Sequence, residues 1–341
     1  MTIGSKAARS KSRHSLMTSI AKVVLVAFIV GCVGATGLVR QLRQAVDGVA
    51  RESAVTETLD ASNPDFENIL LVGSDSREGA DPNDPDFATM GAESDVGGKR
   101  GDTLMVMHYV KKTGGVSLIS VPRDLWVKIG NGEKEQRINT AYQVGTDVLV
   151  RTVRRALGIP IHHYVEVNFQ GFKQLVDAIG GVSICVDRPS RDKNTGLFLK
   201  PGCTTLNGVK ALAYARSRHF EQNLDGEWSM DATADIGRTA RQRKFVQTLA
   251  SEAVNRLLSN PLRAGAVMTN GLDALVVSES LDVMEFAKKM RGVAGGGMTS
   301  FPLPVYGDTV QGNSVLRLGE GSGELLAFFA GTGPRPQLAT D

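Results

Sequence analysis

Asn68-Ile-Leu-Leu-Val-Gly-Ser-Asp-Ser-Arg77 reads as a buried central strand running into a loop. Its apolar part, Ile69 to Val72, is continuous rather than alternating, which is the pattern of a strand covered on both faces. Downstream, Thr103 to Val110 and Val116 to Val121 flank Lys111-Lys-Thr-Gly-Gly115, a hairpin signal that adds a second and a third strand. Residues 147–157 have helical spacing, 163–167 read as a strand, and 169–179 as an amphipathic helix stopped by Gly180-Gly181. A strand over 182–186, a short helix over 206–215 and a long helix over 235–258 follow, the last with Phe245, Val246, Leu249, Val254 and Leu257 on its apolar positions. Residues 262–294 read as largely helical, 301–305 and 315–318 as strands, and the Gly/Pro-rich end as frayed. The alternation predicts an α/β domain, and no internal repeat is visible.

Upstream, Arg40 to Asp65 is polar and mixed in charge, with Asn63-Pro64-Asp65 as a break, so residues 40–66 read as a stalk. Before it, Val23 to Val39 is uncharged and near the length of a membrane-crossing helix. Lys6, Arg9, Lys11, Arg13 and Lys22 precede that run and place the N-terminus, residues 1–22, on the cytoplasmic side. Everything beyond Arg40 is then extracytoplasmic, in a protein anchored once in the cytoplasmic membrane. A cleaved signal peptide is the alternative, though no clear Ala-x-Ala site closes the run, and Ile29-Val-Gly-Cys32 also fits a loose lipobox.

The net charge of +3 is unevenly distributed. Seven basic side chains precede the first acid, Asp47, leaving 32 of the 39 basic residues against 36 acids. Such a domain is no general polyanion binder, so nucleic acid is disfavoured and any anion site must be a local arginine cluster. Cys185 and Cys203 lie in the predicted outer domain. In an oxidising compartment they read as a disulfide, the alternative being two buried thiols.

Four places carry candidate chemistry. Asp75 follows the first strand and Asp102 precedes the second, so neighbouring strands can bring the carboxylates together as hard ligands for Mg²⁺, unless both are ordinary turn residues. Pro122 ends the third strand and sets Arg123 at a sheet edge, where α/β proteins tend to bind ligands. In Tyr214-Ala-Arg-Ser-Arg-His219, an extended backbone would turn Arg216 and Arg218 to one side. Two such guanidiniums suit a pyrophosphate, the plain alternative being a solvated pair. In the run from Asp235 to Arg243, Asp235 is a good N-cap, and Arg238 and Gln242 lie one turn apart on one helix face. An anion there would meet the helix N-terminal dipole as well, whereas salt bridges to Asp231 or Asp235 are the structural alternative.

Taken together, the order of these motifs resembles the LytR-CpsA-Psr family of cell-wall phosphotransferases. The resemblance rests on 68–77, Arg100 to Val106, Ser120 to Asp124, Arg137 to Tyr142, Val167 to Phe172, Val176 to Val182, Leu206 to His219 and Asp235 to Gln242, and covers about 68–258. It implies a mixed β-sheet between helices in a catalytic domain spanning 67–330, with 331–341 as a flexible tail. The implied substrate is a glycopolymer on a polyprenyl pyrophosphate carrier, whose phosphoglycosyl unit passes to a peptidoglycan muramic-acid hydroxyl. Carried over by motif, Asp75 and Asp102 would hold Mg²⁺ (or Mn²⁺), Arg100 would support that centre, and Arg123, Arg216, Arg218, Arg238 and Gln242 would bind the pyrophosphate. A scaffold that binds the carrier without turnover is the rival reading. The sequence departs from the family pattern at Arg137, where a lysine is more usual, and at Arg243, where a second glutamine is common. The long acidic loop 78–98 is read as governing acceptor entry.

Overall fold

The computed structural model describes residues 43–44, 46–76, 101–230, 234–259, 275–296 and 298–337. The expected tail 1–22, anchor 23–39 with Cys32, Arg100 and the loop 78–98 lie outside the described residues. Among the described residues no helix is long and apolar enough to cross a membrane.

In chain order the central sheet begins with β1 (Ala50–Glu52), β2 (Phe66–Ser74), β3 (Gly101–Val110) and β4 (Gly115–Val121). A small hairpin, β5 (Trp126–Lys128) and β6 (Glu135–Arg137), leads to helices α1 (Thr140–Val144) and α2 (Thr146–Leu157). Strand β7 (His163–Val167) re-enters the sheet, followed by α3 (Phe169–Ala178) and then β8 (Val182–Val186), β9 (Ser190–Asp192), β10 (Leu197–Leu199) and β11 (Gly202–Leu206). Next come α4 (Gly208–Arg216), β12 (Glu221–Leu224), β13 (Glu227–Met230) and the long α5 (Ala234–Ser259). The chain closes with β14 (Leu275–Ser278), α6 (Val283–Gly296), β15 (Met298–Pro302), β16 (Val305–Val310), β17 (Asn313–Leu318) and α7 (Ser322–Phe329).

The central sheet is mixed, seven strands in the order β1-β14-β7-β2-β3-β4-β15. Its strands read as continuous apolar runs because both faces are covered. Leu70, Val72, Leu104, Val106, Ile119 and Val121 point to one core with α2 and α7, while Ile69, Met105, Met107, Val116 and Leu118 point to another with α5 and α6. The mixed sheet between helices expected from the sequence is therefore present. A third core joins α3, α4 and α5 to β8, β10 and β11 through Val176, Ile184, Leu206, Tyr214 and Phe245. Helix α5, whose 26 residues reach about 39 Å, serves two cores at once: Phe245 enters the third and Val246 the second.

Several expectations need correction. Residues 40–66 are not all a stalk: β1 pairs in parallel with β14, and Val49 and Val55 are buried in two different cores. Its charged residues Arg51 and Glu52 disguise this strand, and Arg51 donates to the backbone oxygens of Ser278 and Leu281 at 3.2 and 2.8 Å. Leu275-Val-Val-Ser278, read as helix, is a strand between β1 and β7, as two adjacent β-branched residues favour. Strands β15 and β16 break at Leu303-Pro304 rather than running through to Val305. The Gly/Pro-rich end holds α7, whose Phe329 is fully buried. Gly331, the first residue of the expected tail, has φ +73° and sits so close to the Phe66 ring that a Cβ would collide with it.

Candidate functional site

The site begins with strand direction. Strands β2, β3 and β4 are successively antiparallel, so the end of β2, the start of β3 and the end of β4 share one edge of the sheet. Gly73 pairs with Thr103 and Ser74 with Gly101, leaving Asp102 as the extra residue of a β-bulge. Asp102 thus lies inside β3, not ahead of it, and directly beside the segment that ends in Asp75. Its side chain lies outside the described residues. Arg123 follows Pro122 at the end of β4, so the backbone brings Asp75, Asp102 and Arg123 to this edge.

Strand β7 is parallel to β2, with Val167 opposite Gly73, so α3 starts at the same edge. Asn168 caps α3 by accepting from the Gly171 backbone N–H at 2.7 Å, which fixes Phe169 in the first turn. The Arg216 guanidinium lies 4.5 Å from the Phe169 ring centroid, a cation–π contact that ties the end of α4 to the strand ends. Contrary to the extended segment expected there, α4 runs through Arg216. The backbone turns extended only at Ser217, so Arg216 lies on the helix and Arg218 in the exposed turn beyond it.

That turn is held by Asp192, a residue the sequence reading did not single out. Its carboxylate is fully buried on β9 and accepts at Oδ2 from the Ser217 hydroxyl (2.7 Å) and from the backbone N–H groups of Arg218 (3.1 Å) and His219 (3.0 Å). Oδ1 accepts from the Asn194 and Thr195 N–H groups. Burial pushes the Asp192 pKa up, but these donors outweigh it and hold the carboxyl below its usual range. Asp-x-Asn-Thr is an Asx-turn pattern, the one signal that would have found it.

Helix α5 completes the cluster. Arg238 and Gln242, one turn apart, are both buried, and Gln242 donates to the Ala215 oxygen at 3.0 Å. Arg241 donates to the Ser217 oxygen at 3.0 Å and lies 4.5 Å over the Phe220 ring. The side chain of the expected cap Asp235 lies outside the described residues. Beneath the edge, the buried Glu166 on β7 accepts from the Tyr142 hydroxyl and, at 2.6 Å, from that of Tyr164. Burial first and the Glu166 charge second push both tyrosine pKa values up, Asp75 adding to the effect on Tyr142, so both hydroxyls remain donors. Tyr142 closes the Arg137 to Tyr142 motif, but nothing local in the sequence marks Glu166. Arg137 pairs with Asp124 at 3.2 Å, beside Arg123. Cys185 and Cys203 are joined by a disulfide between register partners of β8 and β11.

These elements define an α/β protein with arginines gathered at the carboxyl ends of its central strands, the edge where such folds bind ligands. Comparison with known proteins narrows the class. Residues 39–324 match the LytR_cpsA_psr family. A probable cell wall biosynthesis protein, LcpB of Corynebacterium glutamicum, is 34% identical over 76% of this chain and 59% of its own length. The chain therefore spans less than two thirds of that relative. The polyisoprenyl-teichoic acid–peptidoglycan teichoic acid transferase TagU of Halalkalibacterium halodurans is 33% identical over 69% of this chain and 68% of its own. A LytR-Csp2A-Psr enzyme from Actinomyces oris shares the fold, with a TM-score of 0.64 over 83% of this chain and 96% of that one at 24% identity. The chain belongs to the LytR_cpsA_psr family.

Proposed function

We propose that this protein is a phosphotransferase. It moves a glycopolymer phosphate unit from a polyprenyl pyrophosphate carrier to a muramic-acid hydroxyl of peptidoglycan and releases the polyprenyl phosphate. The observation that carries the reading is the convergence of Arg216, stacked on Phe169, and the Arg218 turn, clamped by Asp192, on the edge that holds Asp75 and Arg123. The related transferase named for polyisoprenyl-teichoic acid and peptidoglycan supports the same donor and acceptor classes.

Within this reading Arg123, Arg216, Arg218, Arg238 and Gln242 bind the pyrophosphate, whose charge grows on the bridging oxygen as the bond to the leaving phosphate breaks. Fixed cationic donors at that position are the main catalytic effect in phosphoryl transfer. Asp75 and the bulge residue Asp102 form a two-carboxylate donor set, which fits Mg²⁺ or Mn²⁺ because such ions complete their shell with phosphate oxygens and water. When bound, the ion would supply charge neutralisation to the phosphoryl oxygens, a role that Arg100 would support. Residues 23–39 anchor the domain in the cytoplasmic membrane with residues 1–22 inside.

The test is release of polyprenyl phosphate by the full chain with Mg²⁺ or Mn²⁺ and a lipid-linked glycopolymer. Arg123→Ala with Arg218→Ala is expected to lower turnover roughly hundredfold or more. Unchanged turnover in that double variant overturns the reading, and carrier binding by the wild type without turnover replaces it with a non-catalytic scaffold.

A further inference from the structure

Helix α1 has five residues, too few to persist on its own hydrogen bonds, and the Asn139 side chain ahead of it makes no cap. Its place is set by other segments. The Ile138 and Asn139 N–H groups donate to the backbone oxygens of Leu125 and Arg123 at 2.8 and 3.3 Å, just past the end of β4. Tyr142 then reaches two more strands. A Cβ on Gly101, the first residue of β3, would lie 3.6 and 3.7 Å from Cβ and Cγ of Tyr142, so that side chain packs against the bulge that carries Asp102. Its hydroxyl donates to Glu166 on β7. One side chain thus links the start of β3 to the end of β7 across β2, whose last residue, Ser74, pairs with Gly101 and is followed by Asp75.

Packing alone does not call for this pair. Tyr142 is 6% and Glu166 9% exposed, and a buried carboxylate is costly unless its hydrogen bonds repay it, whereas apolar side chains of similar volume are often as stable there or more so. What hydroxyl and carboxylate add is a fixed direction. A bulge disrupts the ladder and re-aims the side chains beside it, so its geometry benefits from an outside hold. Burial, then the Glu166 charge, push the Tyr142 pKa up, and the Asp75 charge adds to them, so Asp75 lies within electrostatic reach of the same hydroxyl.

We infer that Tyr142, fixed by Glu166, is a positioning residue for the Asp75–Asp102 pair: it holds the bulge so that the two carboxylates keep one spacing as a divalent ion and the phosphate oxygens engage them. Tyr164 is the comparison that the fold itself provides. It donates to the same carboxylate at 2.6 Å and is fully buried, but it stands opposite Leu70, four residues short of Ser74 on β2. Both tyrosines stabilise Glu166, and Tyr142 alone of the two also packs on Gly101 at the bulge. The inference rests on the phosphotransferase reading and adds to it a residue that acts through the two aspartates.

The test uses the full chain in detergent with Mn²⁺ as the probe, binding being followed by electron paramagnetic resonance of the free ion. Tyr142→Phe keeps the ring against Gly101 and removes the hydroxyl, while Tyr164→Phe removes the matching bond to Glu166. Both should lower the thermal midpoint to a comparable extent. Only Tyr142→Phe is expected to weaken Mn²⁺ binding, by about tenfold, as loss of a group that orients metal-binding side chains typically does. With the lipid-linked glycopolymer, the same variant should raise the Mn²⁺ concentration for half-maximal turnover by a similar factor and leave KM for the donor nearly unchanged. Equal Mn²⁺ affinities in the two variants, or a wild type that binds no Mn²⁺, overturn the inference. A wild type that binds Mn²⁺ but turns over no donor overturns the phosphotransferase reading instead, and the two affinities still decide the positioning role. Should Tyr142→Phe not fold, Glu166→Gln, which weakens the same link from its other end, carries the same expectation.

Discussion

Replacing Asp192 by asparagine keeps the volume of a buried side chain but exchanges one acceptor oxygen for a donor, facing N–H groups that are donors themselves. Hydrogen bonds to a charged group are typically worth about 1.5–3 kcal/mol, and the loss falls on the backbone of Ser217 to His219. We expect Asp192→Asn to raise KM for the lipid-linked glycopolymer about tenfold with a smaller effect on kcat, because the Arg218 turn loosens while the arginines remain. Steady-state kinetics decide it, and a loss confined to kcat would count against a positioning role. A second residue-scale prediction concerns pH. His108 is 2% exposed, its Nδ1 is 2.7 Å from Asn68 Oδ1, and burial first, then the neighbouring His162, pushes its pKa down to about 4. The folded state therefore holds a neutral ring that the unfolded chain protonates below pH 6.5. Stability is full above that value, falls as pH drops toward about 4, and is flat below for this group, a loss of about 3 kcal/mol. His162 and His163 shift in the same direction for the same first cause. Glu67, facing them, works at lower pH: burial raises its pKa, but Lys289 and Lys111 win and hold it below the usual carboxylate value. Urea midpoints across pH 4–7 test this, and His108→Gln should flatten the slope in that window.

At the scale of elements, the β8–β11 pair illustrates a stabilisation that acts through the unfolded chain. The disulfide closes a loop of sequence separation 18, worth about 3 kcal/mol on the chain-entropy estimate. Cys185→Ser with Cys203→Ser should lower the unfolding free energy by about that amount, read from urea curves with and without reductant: reductant should bring the wild type to the variant and leave the variant unmoved. Helix α7 contributes by packing: Phe329 is fully buried against the His108 ring, and Phe329→Ala should cost about 3–5 kcal/mol. These two elements also mark what a sequence can and cannot reveal. Strands β7 and β8 matched their predicted limits because each is a short run rich in β-branched or aromatic residues set off by turn residues, and α3 ended at Gly180-Gly181, whose φ values of +81° and +95° few other residues adopt. Strands β1 and β14 were misread because each is only three or four residues long and is made a strand by its partner, far away in sequence. The site shows the same division. Arginine motifs were legible locally, whereas Glu166 and Asp192 became visible only once folding surrounded each with donors from other segments. The face of Arg216 depended on where α4 ends, a boundary that propensity places only to within a residue or two.

The whole molecule has to bring a lipid-linked donor and an insoluble wall polymer to one sheet edge. Strand β1 is the outermost strand of the central sheet, next to β14, and Val46 and Val49 just before it already pack on a core, so the chain enters the fold at the sheet's outer edge rather than at a free stalk. If residues 23–39 anchor the chain as proposed, few residues separate Val39 from the core-packed Val46, and the domain stays within a few tens of ångströms of the bilayer even if they are fully extended. Anchoring then acts as an effective-concentration device for long-chain carriers, which are themselves confined to the bilayer, and gives nothing to a soluble substrate. A protein lacking residues 1–42 should therefore turn over a short-chain, detergent-dispersed glycopolymer pyrophosphate with the same kcat/KM as the full chain. In vesicles carrying a long polyprenyl pyrophosphate-linked glycopolymer it should be slower by at least tenfold at equal protein concentration. Sedimentation with the vesicles supplies the physical control: the full chain should pellet and the shortened one remain in solution. Equal rates of the two proteins on the vesicle-borne donor would show that the domain finds its carrier without a tether, and would remove the reason for the anchor proposed here.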